Sequence, residues 1–277
     1  MGAIVGAVGM SHILGSDVGV EEQAQRVFDS FKRLGERVRA SAPDLIIVVS
    51  DDHMMNIGAD VQVPLAVGVA EKYETFGDLE IPVHEYPGAP DFANGLARYA
   101  AGRGFDLAKL DDRGLRLDHG YVVPLIFINP GRNIPVVPLN VNINMDPSPS
   151  PARCWQLGTT IKEYIQNVRP ERERVAIVGA GGLSHWLMIE RDGEISESWD
   201  QEILQTFAEG RAEEISRLTA DEIQAEGGNG GTEVRNWLVM AATVPGNRGA
   251  KVLYEPVYPW KTGMAAIEMD VEEPTHS

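Results

Sequence analysis

The sequence predicts one α/β domain over residues 1–277, built on a central mixed sheet flanked by helices. Two observations lead there. Short β-branched apolar runs alternate with amphipathic stretches of helical period, and no linker-like segment separates them. The chain is 43% apolar and 23% charged, so it carries enough apolar side chains to bury a sizeable core.

Residues 3–8 are an apolar, glycine-spaced run and read as the first strand. Over 20–38, Val20, Ala24, Val27, Phe28, Phe31 and Val38 recur on one face, which predicts a helix. Residues 45–49 are continuously apolar, the pattern of a strand covered on both faces. A helix is expected over 90–101, with Pro90 at its start and Gly102 just past its end. Within 134–144 a strand places Leu139, Val141 and Ile143 in alternation with Asn140, Asn142 and Asn144. The proline-rich segment 147–151 is a rigid connection into a helix carrying Leu157, Ile161, Tyr164, Ile165 and Val168. Residues 175–178 read as another buried strand. From 197 to 242 the chain reads as mostly helical, broken by a glycine loop at 227–231, and 252–254 and 264–269 read as closing strands. The acidic tail, 270–277, is expected to fray.

The formal net charge of −17 argues against nucleic acid or an anionic membrane surface as the main partner. A small anionic substrate stays compatible with it, since a pocket can be locally positive. The single cysteine, Cys154, cannot form an internal disulfide and points to a reducing compartment. Residues 1–10 are apolar but lack a positively charged start and a cleavage-like region, so they read as a strand rather than a signal peptide. Gly6 stands where a myristoylation signal wants Ser or Thr. No apolar run approaches membrane-spanning length, and the expectation is a soluble, cytoplasmic protein.

His12, His53 and His185 each follow a predicted strand, and the carboxyl ends of strands line the ligand crevice of open α/β sheets. His119, in Asp118-His119-Gly120, precedes the apolar segment 121–128. Any one of these histidines alone reads most simply as structural; four at element ends, delivered by turns, point to a shared site. His84, in a proline-flanked loop, and His276, in the tail, keep the simpler reading. Glu233 opens a predicted helix after the glycine loop. An acid there often serves only the helix dipole. Two imidazoles and one carboxylate on one face of a divalent iron, however, leave three positions for a bidentate ligand and O2. The stretch from Val5 to His12 also echoes the stretch from Val178 to His185: both are strands ending in a glycine-containing turn that delivers Ser-His. The second stretch nearly matches a dinucleotide-binding fingerprint, but Ser184 replaces its third glycine and no packed helix follows.

Taken together, Ser11-His12, Asp52-His53, Asp118-His119-Gly120, Gly182-Leu183-Ser184-His185 and Glu233 resemble the class III (LigB-type) extradiol ring-cleavage dioxygenases, most nearly the catalytic chain of the protocatechuate 4,5-dioxygenase type. The likeness runs in order from Ser11 to the closing strands and includes Arg153-Cys154, Leu157-Gly158 and Trp237-Leu238. It implies Fe(2+) held by His12, His53 and Glu233, with His185 as general base and His119 as acid and oxygen partner. The implied reaction inserts both atoms of O2 into a catechol-type ring and opens it beside the hydroxyls. A neutral histidine, with an ordinary pKa of about 6.5, suits the removal of a catechol proton.

This chain departs from that type at Asp51, where the family has an Asn that helps to hold a substrate carboxylate. An anion there predicts catechols without a ring carboxylate. Lys261 and Thr262, in the matching C-terminal segment, are the further substrate-binding candidates, with Lys261 as counter-charge to Asp51. No small helical subunit is fused to the chain, so the resemblance implies either a separate subunit or a homo-oligomer that closes its own site. The alternatives are a zinc-dependent hydrolase on the same His/His/Glu set and a binding homologue without turnover. A pure binder would need neither His119 nor His185.

Overall fold

In the computed structural model, residues 1–58, 60–111 and 113–271 are described. Their strands are β1 (Ala3–Met10), β2 (Leu45–Ser50), β3 (Leu65–Gly68), β4 (Lys72–Glu74), β5 (Glu85–Pro87), β6 (Ala108–Leu110), β7 (Val136–Val141), β8 (Arg174–Ala180), β9 (Gly249–Val257) and β10 (Thr262–Met269). Their helices are α1 (Glu21–Ala40), α2 (Pro90–Ala101), α3 (His119–Ile128), α4 (Pro151–Val168), α5 (Glu197–Ala208), α6 (Ala212–Ile215), α7 (Ala220–Gly231) and α8 (Val234–Ala241). The main sheet has the order β6-β3-β7-β2-β8-β1-β10-β9. Its centre, β7-β2-β8-β1, is parallel, while β3 joins β7 and β10 joins β1 antiparallel. The sheet is therefore mixed, as the sequence predicts.

Alternate residues of the central strands feed two separate cores. Ile46 and Val48 of β2 meet Val27, Phe31 and Leu34 of α1 and Tyr121 and Leu125 of α3 in one cluster. Ile47 and Val49 belong to the other, with Leu157 and Ile161 of α4 and Trp237 and Leu238 of α8. Burial of each such side chain contributes roughly 1.5–3 kcal/mol, enough to fix the register of a strand covered on both faces.

Two expectations need correction, and one segment gains an element. The segment 121–128, read from the sequence only as apolar, belongs to helix α3, with His119 as its first residue and Asp118 as its N-cap, accepting from the Gly120 amide at 3.1 Å. Being apolar on all sides, it shows no helical period, which is the pattern of a fully buried helix. The glycines at 227–231 do not form an open loop. They close α7 against the protein interior, with a break at Gly228 (φ 81°, ψ 177°). Finally, β7 stops at Val141 and is buried on both faces, Asn140 included. Asn142 and Asn144 lie beyond it and bind the following loop and Asp51. Of the tail expected to fray, residues 272–277, with His276, lie outside the described residues. Among the described residues no helix is long and apolar enough to cross a membrane.

Candidate metal centre

Strands β2, β8 and β1 are neighbours and parallel, so their carboxyl ends open on one edge of the sheet. Beyond β1, the Ser11 amide donates to the Ala265 carbonyl at 3.0 Å and its hydroxyl accepts from the Ala265 amide at 2.9 Å. That pins the turn delivering His12 to β10. Beyond β2 come Asp51, Asp52 and His53. The Asp52 carboxylate accepts from the amides of Asn56 and Ile57 and closes the turn after His53. Beyond β8 the chain passes through Gly181 and Gly182 to Ser184 and His185. A Cβ on Gly181 (φ 116°) would stand 2.5 Å from Glu233 Oε2, so only glycine lets the strand exit come this close to the acid. Asp200 then holds the turn, accepting from the Ser184 amide at 2.7 Å, the Ser184 hydroxyl at 2.9 Å and the Tyr254 hydroxyl at 2.7 Å. Burial pushes the Asp200 carboxyl up to about 6 against the pull of those bonds. Glu233 is the N-cap residue of α8 and accepts from the Gly182 amide.

These turns and the start of α3 bring the four histidines together. Ring centroids of His12 and His53 are 4.8 Å apart, those of His12 and His119 5.4 Å, and those of His53 and His119 4.0 Å. Glu233 bridges two histidines: Oε2 lies 3.3 Å from His12 Nε2 and Oε1 lies 3.6 Å from His185 Nε2. His53 Nε2 is 3.5 Å from Asp51 Oδ2. One donor atom each from His12, Asp51, His53 and Glu233 lies within 4.8 Å of all the others, and so does one each from His12, His53 and His119. Bonds of roughly 2.0–2.2 Å to one ion put opposite ligands at most about 4.4 Å apart. A contraction of a few tenths of an ångström would let the first set share an ion.

Hydrogen bonding favours the same reading. His53 Nδ1 faces Asp118 Oδ2 at 3.1 Å, His119 Nδ1 faces Asp78 Oδ2 at 2.6 Å and His185 Nδ1 faces the Leu183 carbonyl at 2.9 Å. Since ionised carboxylates and carbonyls only accept, each Nδ1 carries a proton, which leaves Nε2 as the atom turned toward a metal or substrate. His12 is buried; its Nδ1 has no partner, and its Nε2 has only the Glu233 carboxylate beside it, at 3.3 Å and outside hydrogen-bonding geometry. An orphaned buried nitrogen is costly, and a metal ion satisfies it. The residues present therefore fit a divalent metal.

The electrostatics of the cluster call for added positive charge. Burial works against charge on His53, but the carboxylates of Asp51 and Asp118 push its pKa up to about 10. Burial likewise opposes charge on His185, and Glu233 outweighs it, so that pKa rises too. Burial would raise the Glu233 carboxyl, yet His12 and His185 hold it well below the usual range. A metal cation would take the place of the protons that these carboxylates otherwise draw onto the histidines. His119 differs: burial lowers its pKa and keeps it neutral.

Asp51 is fully buried. Asn236 donates to its Oδ1 at 3.2 Å and Asn144 to its Oδ2 at 3.1 Å, while the field of the buried Arg235 guanidinium reaches it. It stands inside the donor set rather than on a wall beside it. Lys261 lies at the surface with its ammonium on Asp192, so two amides, not Lys261, meet Asp51. Thr262 is buried and donates its hydroxyl to the Trp260 carbonyl at 3.0 Å. The sequence reading missed Asp78, Asn144, Asn236 and Asp200. Only Asp118 was singled out, as part of the Asp118-His119-Gly120 motif.

Residues 6–266 match the family described as the catalytic LigB subunit of aromatic ring-opening dioxygenase. Curated relatives are named 2,3-dihydroxyphenylpropionate/2,3-dihydroxicinnamic acid 1,2-dioxygenase. The one from Photorhabdus laumondii is 24% identical over 294 residues, covering 89% of this chain and 90% of its own. The one from Escherichia coli O81 is 24% identical over 307 residues, covering 92% and 96%. Among solved structures, an uncharacterized protein of Escherichia coli K12 is similar in fold, with a TM-score of 0.64 at 17% identity over 96% of this chain and 100% of that one.

Proposed function

Because this chain belongs to the family of the catalytic LigB subunit of aromatic ring-opening dioxygenases, we propose that it is an Fe(II)-dependent extradiol enzyme opening a catechol-type ring with O2. The observation that supports the metal assignment is His12, buried without a hydrogen bond to either ring nitrogen and with its donor atom grouped with those of Asp51, His53 and Glu233. Bound iron supplies adjacent coordination positions for both catechol oxygens and O2. The chain's own groups handle protons. His185, with Nδ1 on the Leu183 carbonyl and Nε2 3.6 Å from Glu233 Oε1, acts as the base that takes a catechol proton once a metal cation offsets that carboxylate. His119 faces the centre from the opposite element, α3, and is the proton partner for the oxygen atoms as the ring opens. Reconstitution with Fe(II) under anaerobic conditions, followed by oxygen uptake on a panel of catechols, tests this. The expected product is of the hydroxymuconic semialdehyde type. Zinc retained at full occupancy, with no oxygen uptake on any catechol, would instead favour the hydrolase reading.

Asp51 sets the substrate class. Burial raises the Asp51 carboxyl, and an ionised Asp51 about 4 Å from a ring carboxylate would repel it by up to about 4 kcal/mol at an effective dielectric of about 20. Catechols bearing neutral or longer side arms are expected to exceed protocatechuate in kcat/KM. The relatives named for 2,3-dihydroxyphenylpropionate fit that preference, since that acid stands on a side chain. Asp51→Asn is expected to raise relative activity on protocatechuate at least tenfold. A wild type that already prefers protocatechuate, or an unchanged ratio in the variant, removes Asp51 as the selectivity element.

Large apolar side chains are exposed on loops next to site residues: Met54 beside His53, Leu79 beside Asp78 and Met188 after His185. We assign them to a covering chain, either a second copy or a small helical subunit. Light scattering that finds only single chains removes the homo-oligomer. Cys154 is buried and free, which suits the reducing cytoplasm to which we assign the protein.

A further inference from the structure

Two histidines of the centre are held by the same device. One carboxylate oxygen of Asp118 accepts from both the backbone amide of His53, at 2.9 Å, and its Nδ1, at 3.1 Å. One oxygen of Asp78 accepts from both the backbone amide of His119, at 3.1 Å, and its Nδ1, at 2.6 Å. A two-point clamp of this kind fixes the ring plane, the rotamer and the tautomer together. Asp78 is 41 residues away in sequence, so the clamp is tertiary.

The chain around Asp78 is shaped to deliver it. Phe76 donates its amide to the Leu117 carbonyl at 2.7 Å, which ties the segment to the residues just before α3. Gly77, Leu79 and Glu80 all take left-handed backbone conformations, with φ of 86°, 49° and 59°. Such conformations are costly for non-glycine residues and persist where the surroundings over-determine them. Burial alone would raise the Asp78 carboxyl, but its bonds to His119 lower it, so it stays an acceptor.

We propose that Asp78 is a positioning residue for ring opening, locking His119 with Nδ1 protonated so that Nε2 is the only nitrogen presented to the reacting oxygens. This rests on the dioxygenase reading above. In the reaction His185 takes one hydroxyl proton, and Nε2 of His119 takes the other and returns it to an oxygen atom of the opening ring, while Asp78 remains ionised throughout. An asparagine could place its carbonyl oxygen where this oxygen stands and still accept from both donors, so alanine, which removes the acceptor altogether, is the variant that frees the imidazole to change tautomer.

The test has two arms. In the wild-type chain, 15N NMR of the imidazoles is expected to show His119 as the Nδ1–H tautomer; the Nε2–H form there overturns the proposal without any variant. In Asp78→Ala, kcat is expected to fall by about 10–100-fold, with KM within about threefold and metal content at the wild-type level. Asp78→Glu should recover part of the loss. An unchanged kcat, or loss of metal in step with activity, overturns the proposal. A wild type that opens no catechol removes the dioxygenase reading, and the NMR arm still decides the clamp.

Discussion

Alanine at His12, His53 or Glu233 is expected to abolish metal binding. On the assignment proposed above each residue supplies one of three protein ligands to an open site, and the remaining two would leave too little chelation to compete with water and buffer. The geometry makes the three unequal in their side effects. Glu233 also accepts from the Gly182 amide and faces His185, so its loss should loosen the turn after β8 as well. His53 is clamped by Asp118, which would be left buried with fewer donors. His12 has no hydrogen-bond partner to lose, and His12→Ala should be the least damaging to the fold. Elemental analysis of the purified variants, with circular dichroism as the control for folding, checks this. Full iron occupancy in any one of them takes that residue out of the ligand set.

The second large effect separates proton transfer from metal binding. His185→Ala and His119→Ala are expected to hold about one iron per chain while turning over roughly 10²–10⁴-fold more slowly, the usual loss for an acid–base group. His185 reaches Glu233 but is absent from both groupings of donor atoms, which favours a role beside the metal rather than on it. His119 is the sharper case, because its donor atom does group with those of His12 and His53. Iron lost from a folded His119→Ala would move it into the ligand set.

Much of the fold was legible because its signals are local. The continuous apolar run at Leu45–Ser50 and the Pro-to-Gly boundaries of Pro90–Ala101 follow from neighbours along the chain. Helix α3 escaped because its apolar residues cover every side, and β3 and β6 because strands of four and three residues leave little pattern. The same divide runs through the site. His12, His53 and His185 could be located because each follows a strand, and Glu233 because it opens a helix. The groups that orient them could not. Asp78 reaches His119 across 41 residues and Asn236 reaches Asp51 across 185, and no spacing in the sequence encodes either contact. Asp51 was recognised as unusual from the resemblance, but its place among the donors needed coordinates.

The repeated Ser-His turn has a consequence for how such chemistry diversifies. In the sheet, β1 and β8 pair with Val8 opposite Val178 and Met10 opposite Ala180, so the second turn runs three residues further before presenting its histidine. The same peptide ending thus yields a group at Glu233 Oε2 in one strand and at Oε1 in the next. On the roles proposed above, turn length rather than residue identity separates coordination from proton transfer. An insertion or deletion of a few residues after a strand is among the commonest and mildest changes a lineage undergoes. Here it would convert a proton carrier into a coordinating group, or the reverse, without altering one residue of the core.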